Sequence, residues 1–159
     1  MSTRGFQLIF QLRITVYVGV PLPLRVFVKE FTVRSSERLQ VIDITEKVEK
    51  VVKESGISNG IALVFVPHAT AAIIANEFEP RIVEDYLELI RQVFKPDYPW
   101  KHNTIDNNAH AHLASALIGP SRCFPVAGGR LVRGTWQSIL LLELDGPRSR
   151  RIIVEVMGE

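Results

Sequence analysis

Residues 60–67 read Gly-Ile-Ala-Leu-Val-Phe-Val-Pro, a continuous apolar run of strand length. A half-exposed strand alternates apolar and polar residues, whereas a strand without alternation is one buried on both faces. The run therefore predicts a central, doubly covered strand and obliges the rest of the chain to supply a layer on each side. It ends at Pro67 and delivers His68, one of four histidines in the 159 residues.

The flanking segments supply those layers. Alternation over residues 12–18 reads as strand, set off by Pro21 and Pro23 from a second strand at about Arg25–Arg34, with Phe27, Phe31 and Val33 on one face. After a polar turn at 35–38, residues 39–44 return as its partner. Asp43 then caps a helix, Glu46 standing three residues on as in a capping box, with Ile44, Val48, Val51 and Val52 as the apolar stripe and Gly56 as the end. Residues 71–75 continue as strand. Pro80 fits the first turn of a second helix, whose period runs through Ile82, Val83, Tyr86, Leu87, Ile90 and Val93 until Pro96 and Pro99 close it. Asn107 or Asn108 caps a short third helix to about Leu117, ended by Gly119. A strand at 123–126, a turn at Gly128 and Gly129, a long strand at 131–144, a turn at 145–147 and a last strand at 151–157 complete the chain. Seven or eight strands and three helices in mixed order predict a single compact α+β domain with a largely antiparallel β-sheet.

Composition narrows the class. With 47% hydrophobic and 23% charged residues, the chain can bury roughly 70% of its unfolded surface and is not of the disordered type. A formal charge of +2 is too small to argue for nucleic acid. No run approaches the roughly 20 apolar residues of a membrane span. Residues 6–20 are apolar, but Gln7, Gln11 and Arg13 interrupt them, and Pro21 and Pro23 follow where a small-residue cleavage site would stand. The lone Cys123 excludes an intramolecular disulfide and reads as a small buried hydrophobe in a strand. The expectation is a cytoplasmic protein with a domain over 25–159 and an N-terminal extension, 1–24, that adds a β-strand.

Chemistry concentrates in residues 100–119, which hold His102, His110 and His112, with Asp106 between the first and the pair. His110 and His112 are two apart, so they share a face in extended chain and diverge in a helix. A His102/His112 pair completed by His68 is the easier metal site, three ligands with an open position being the habit of catalytic zinc. Asp106 reads equally as a turn residue or as the partner that orients an imidazole. Glu143 lies inside an apolar strand, where a carboxylate is costly unless paired; it is a site candidate if it faces inward and a solvent-face residue if outward. Arg130, Arg133, Arg148, Arg150 and Arg151 gather around the last turn, to hold phosphate or to blunt a sheet edge. Trp136 and Gln137 read as core packing or as the wall of a pocket.

Several separated motifs stand in one order: Val66-Pro-His68-Ala-Thr-Ala, Asn76-Glu77, His102 with Asp106, Asn-Ala-His-Ala-His112-Leu, Ser121-x-x-Phe124-x-Val126-x-x-Gly129-x-x-x-x-Gly134-Thr-Trp-Gln137, and Glu143-Leu-Asp-Gly-Pro-Arg148. In these the chain resembles the YjbQ family over about residues 26–158, departing from its pattern at Ala69, Phe124 and Arg133. His110 belongs to one form of the motif only. The resemblance implies a compact α+β fold, a homotrimer with sites near subunit interfaces, and a weak thiamine-phosphate synthase activity that joins an aminopyrimidine pyrophosphate to a thiazole phosphate and releases pyrophosphate. On that reading His68, His102, Asp106, His112 and Glu143 are the catalytic candidates. Arg148, Asn76, Thr135, Trp136 and Gln137 would bind the phosphorylated substrate, and His68, His102 and His112 would hold a divalent ion, zinc or magnesium. The alternatives are a metal-dependent hydrolase of a phosphorylated metabolite and a non-catalytic metal- or ligand-binding trimer.

Overall fold

The structure, a computed structural model, describes residues 24–159. The strand expected at 12–18 lies outside them. In chain order the elements are β1 (Arg25–Arg34), β2 (Gln40–Asp43), α1 (Thr45–Ser55), β3 (Gly60–Phe65), β4 (Ala71–Asn76), α2 (Pro80–Val93), a 3-10 turn (Lys101–Thr104), α3 (Ala109–Ile118), β5 (Ser121–Ala127), β6 (Arg130–Leu131), β7 (Ser138–Glu143) and β8 (Ser149–Gly158). Every strand pair is antiparallel. They form two sheets, ordered β1-β8-β3-β5-β6 and β2-β7-β4. The fold is α+β, as the mixed element order predicts. No helix among the described residues is long and apolar enough to cross a membrane.

The main core lies where Ala62, Val64, Val154 and Val156 of the larger sheet meet Ile73, Ile139 and Leu141 of the smaller one, joined by Val48 and Val52 of α1. The other face of the smaller sheet, with Ala72, Leu140 and Leu142, packs against Ile90 of α2 and Ala111 and Ala114 of α3. The strand covered on both faces is therefore β7, whose last five residues are all buried. β3 is central within its sheet but, among the described residues, covered on one side only: Ile61 is 42% exposed. On the uncovered face the register aligns Val26, Met157, Ile61 and Pro125 across four strands. Cys123 stands on that face too, exposed and not buried as its type suggests.

The expected long strand at 131–144 is two short ones in different sheets. β6 ends at Leu131, a turn closed by the Gln137 N–H on the Gly134 carbonyl redirects the chain, and β7 enters the middle of the second sheet. Helix ends follow their caps closely. The cap position of α1 falls at Ile44, one residue after the predicted Asp43, whose carboxylate still accepts from the Thr45 N–H at 2.8 Å, and Gly56 ends the helix at φ +62°. Glu79, unread in the sequence, accepts from the Arg81 and Ile82 N–H groups at the start of α2. At α3 the Asn103 side chain takes the Ala109 N–H at 3.1 Å. That leaves Asn108, in the cap position, free for other work.

Candidate functional site

The site stands on a buried ion pair. Glu143 ends β7 fully buried and Arg150, second in β8, is 4% exposed. The Arg150 Nε donates to Glu143 at 2.7 Å and its Nη2 donates to the other carboxylate oxygen and to Thr70. Glu143 also accepts from the Ser35 hydroxyl and the Asp145 N–H, each at 2.9 Å. Charges can occupy such a place only when paired and fully hydrogen-bonded. Both carboxylate oxygens are committed, so Glu143 acts as a post that fixes Arg150 and Asp145. The chain pinches close here: a Cβ on Gly146 would strike the Glu37 carbonyl, the Glu143 side chain and the Ser35 hydroxyl.

Over this post lies an open depression of about 490 Å³, lined by His68, Asn108, His112, Asp145 and Arg148 among others. The His68 Nε2 accepts the Arg151 N–H at 3.0 Å. That bond leaves the ring proton on Nδ1 and uses the bare nitrogen a metal would need. Burial lowers the His68 pKa, the Arg150 and Arg151 charges lower it further, and Glu143 opposes them. His68 is thus held as a neutral imidazole with one N–H to donate.

Asp145 anchors the opposite wall. Burial pushes its pKa up, but hydrogen bonds from Asn108 and Arg148 and the charges of Arg148 and Arg38 outweigh burial, and the net shift is downward. The Asn108 amide donates at 3.0 Å to both Asp106 and Asp145. Two carboxylates facing one NH₂ fix the orientation of the amide, and its Oδ1 is left buried without a partner. Arg148 clasps Asp145 through Nε and Nη2, at 2.7 and 2.9 Å, yet its side chain is 53% exposed. Part of the guanidinium therefore faces the depression.

His112 also borders a second hollow of about 600 Å³, shared with Tyr98, Trp100, Lys101 and His102. The His102 and His112 rings meet edge to face, their centroids 5.0 Å apart. His110 and His112 both lie within α3, so they diverge; His110 lines a separate cavity toward α2. The trio of His68, His102 and His112 does not converge on one point. Among the described residues no three His, Cys, Asp or Glu side chains are grouped as a metal ion would need.

Asn76, Thr135, Trp136 and Gln137 share a hollow elsewhere. In the smaller sheet Ala71 pairs with Glu143 and Asn76 with Ser138, so five residues of strand, about 17 Å, separate the two ends. The structure thus assembles His68, His112 and Arg148 above Glu143, sets Asp106 and His102 at the margin, and leaves the Asn76 group apart. Thr70, Asn108 and Asp145 belong to the site although none is a site candidate from sequence. Thr70 and Asp145 stand within the His68 and Glu143–Arg148 motifs, and the sequence marks Asn108 only as a helix cap.

A family model described as UPF0047 protein YjbQ-like matches residues 29–159. The chain belongs to this family. A UPF0047 protein of Methanothermobacter thermautotrophicus is 46% identical over 136 residues, covering 86% of this chain and 95% of the relative. The UPF0047 protein YugU of Bacillus subtilis is 39% identical, over 82% of this chain and 98% of its own. Among solved structures, a YbjQ-like protein of unknown function from Sulfolobus solfataricus superposes with a TM-score of 0.85 at 51% identity, over 86% of this chain and 99% of that one. A hypothetical protein of Aeropyrum pernix gives 0.82 at 53%, over 84% and 99%.

Proposed function

We propose that the histidine depression binds the phosphate or pyrophosphate group of a small metabolite, and that the protein is a transferase of the thiamine-phosphate synthase kind. The observation that carries this reading is His68, locked as an N–H donor, with the half-free guanidinium of Arg148 and the His112 ring lining the same depression. When an aminopyrimidine pyrophosphate is joined to a thiazole phosphate, the bond to pyrophosphate breaks and its electron pair leaves with the leaving group. Donors aimed at that growing charge lower the barrier. Arg148 and His68 would receive the pyrophosphate, and His112 would give a proton to that leaving group. Asp145 and Asn108 position Arg148, and Glu143 positions Arg150. A three-histidine zinc site does not fit these residues. Magnesium, which binds largely through phosphate oxygens and water, would come with the substrate.

The contact of His102 with His112 favours a second reading, a metal-dependent hydrolase of a phosphorylated metabolite, because two adjacent imidazoles are a ready ligand pair. Self-association, as the homotrimer of the resemblance, is supported by the row Val26, Met157, Ile61 and Pro125, an apolar stripe left open by the described residues and of the kind that marks interfaces. A cytoplasmic location agrees with the single unpaired cysteine.

The test titrates the purified protein with pyrophosphate and thiamine monophosphate, with a synthase assay alongside. Arg148→Ala and His112→Ala should each lose at least about tenfold in anion affinity, the worth of one bond to a charged group. Wild-type affinity in both would overturn the reading. Stoichiometric zinc with phosphoester turnover would favour the hydrolase, and tight binding without turnover a binding protein. Light scattering gives the oligomeric state.

A further inference from the structure

On the side of α3 away from His112 lies a cavity of about 320 Å³ between α2, α3 and the start of β2. Its body is apolar: Ile90, Phe94, Ala114 and Leu144 form the walls. Ala111 and Ala114, one turn apart on α3, are what leave the space open, since larger side chains there would fill it. Apolar cavities of about 150 Å³ already hold a benzene molecule, so this one has room for a substituted ring or a branched chain. Its rim is charged. Arg38 and Arg91 line it against a single carboxylate, Glu37. Arg91 has only a loose ion pair with Glu88, at 3.7 Å between half-exposed side chains. An apolar chamber with two guanidinium groups at its mouth matches an amphipathic anion, whose body is desolvated while its head stays paired at the surface.

We propose that this cavity is a second ligand site, taking a small molecule with a single apolar ring or branched chain and one carboxylate. It is distinct from the histidine depression, and its existence does not depend on what that depression binds. Leu144 sits between Glu143 and Asp145, and Ala111 between His110 and His112. The two sites therefore stand back to back on the same backbone.

The probe is 4-(trifluoromethyl)benzoate, titrated against the full chain and followed by fluorine NMR, with carbon-labelled alanine and leucine methyl groups to locate it. Saturable binding is expected, with the largest methyl shifts at Ala111, Ala114 and Leu144. Arg91→Gln and Arg38→Gln should each weaken it about tenfold, as for loss of one bond to a charged group. Arg91 is exposed, so the first of these does not threaten folding. Ala114→Leu should abolish binding, and 4-(trifluoromethyl)benzyl alcohol should bind at least about tenfold more weakly. Unsaturable binding, shifts clustered on the His68 side of the protein, or affinity indifferent to both arginine changes would each overturn the proposal.

Discussion

His110 and His112 are separated by one residue, and α3 sends them into opposite surroundings. His112 reaches a polar depression whose walls carry Asn108, Asp145 and Arg148. His110 faces the apolar cavity; its Nδ1 is buried without a partner, and burial, reinforced by the charge of Arg38 and opposed by Asp145, lowers its pKa. The end of β7 repeats the division at the period of a strand: Glu143 supports the depression, whereas Leu144 lines the cavity. A dense run of histidines is thus two half-sites back to back. Helix phase and strand alternation, not sequence proximity, decide which residues act together.

Because the depression stands on the pair of Glu143 and Arg150, that pair should give the largest effect, on stability and on anion binding together. Arg150→Met leaves a buried carboxylate without its partner, which costs about 3–5 kcal/mol, read from urea unfolding. Replacing both, as Arg150→Met with Glu143→Leu, should recover much of that stability and still remove anion binding, because Asp145 loses the Glu143 acceptor that holds its N–H. If Arg150→Met were harmless, the post would be no support for the depression.

Next comes the contrast itself. His112→Ala should lower pyrophosphate affinity about tenfold or more, while His110→Ala should leave it unchanged by calorimetry and alter the 4-(trifluoromethyl)benzoate titration instead. Equal effects of the two substitutions on pyrophosphate would dissolve the division.

Proton binding gives a smaller effect, shared by both sides. The pKa values of His68 and His110 are lowered from 6.5, so the unfolded chain takes up protons at these positions before the folded one does. Their stabilising contribution is full above about pH 6.5 and is lost as pH falls through the folded values. Urea unfolding at pH 7.5 and 5.5 should show stability declining toward acid, with a shallower decline in His68→Gln and in His110→Gln. For His68 the cause also includes the Arg151 N–H, which a protonated Nε2 could no longer accept. A decline unchanged by either substitution would contradict the assignment.

Local signals carried most of the fold into view. β1 and α1 were plain because alternation, an apolar stripe and a φ-positive glycine are written within ten residues. Coverage was not, because it is a property of two sheets: the apolar run at 60–67 belongs to a strand with one face left open by the described residues, and the doubly buried strand is β7, which the sequence presents fused to β6. The site followed the same logic. His68 and Arg148 were legible as residue types that carry charge and protons. The commitment of both Glu143 oxygens, the tautomer of His68 and the amide of Asn108 shared by two carboxylates depend on contacts across as many as 108 positions, as between Ser35 and Glu143.

The smallest effect is expected where a family motif stands farthest from the depression. Trp136 is 75% exposed, and its hollow lies a strand's length from Glu143 in the same chain. Trp136→Ala removes little buried surface, so stability should move by less than about 0.5 kcal/mol. Pyrophosphate affinity should stay within about twofold if one chain makes the whole site, since no contact of Trp136 reaches it and distant sites act independently. A large loss of affinity with stability unchanged has one structural explanation, that Trp136 is delivered to the depression by a neighbouring subunit. Mixing Trp136→Ala chains with Arg148→Ala chains then separates the cases: a site shared between subunits regains binding in the mixed oligomer, and a site built by one chain does not.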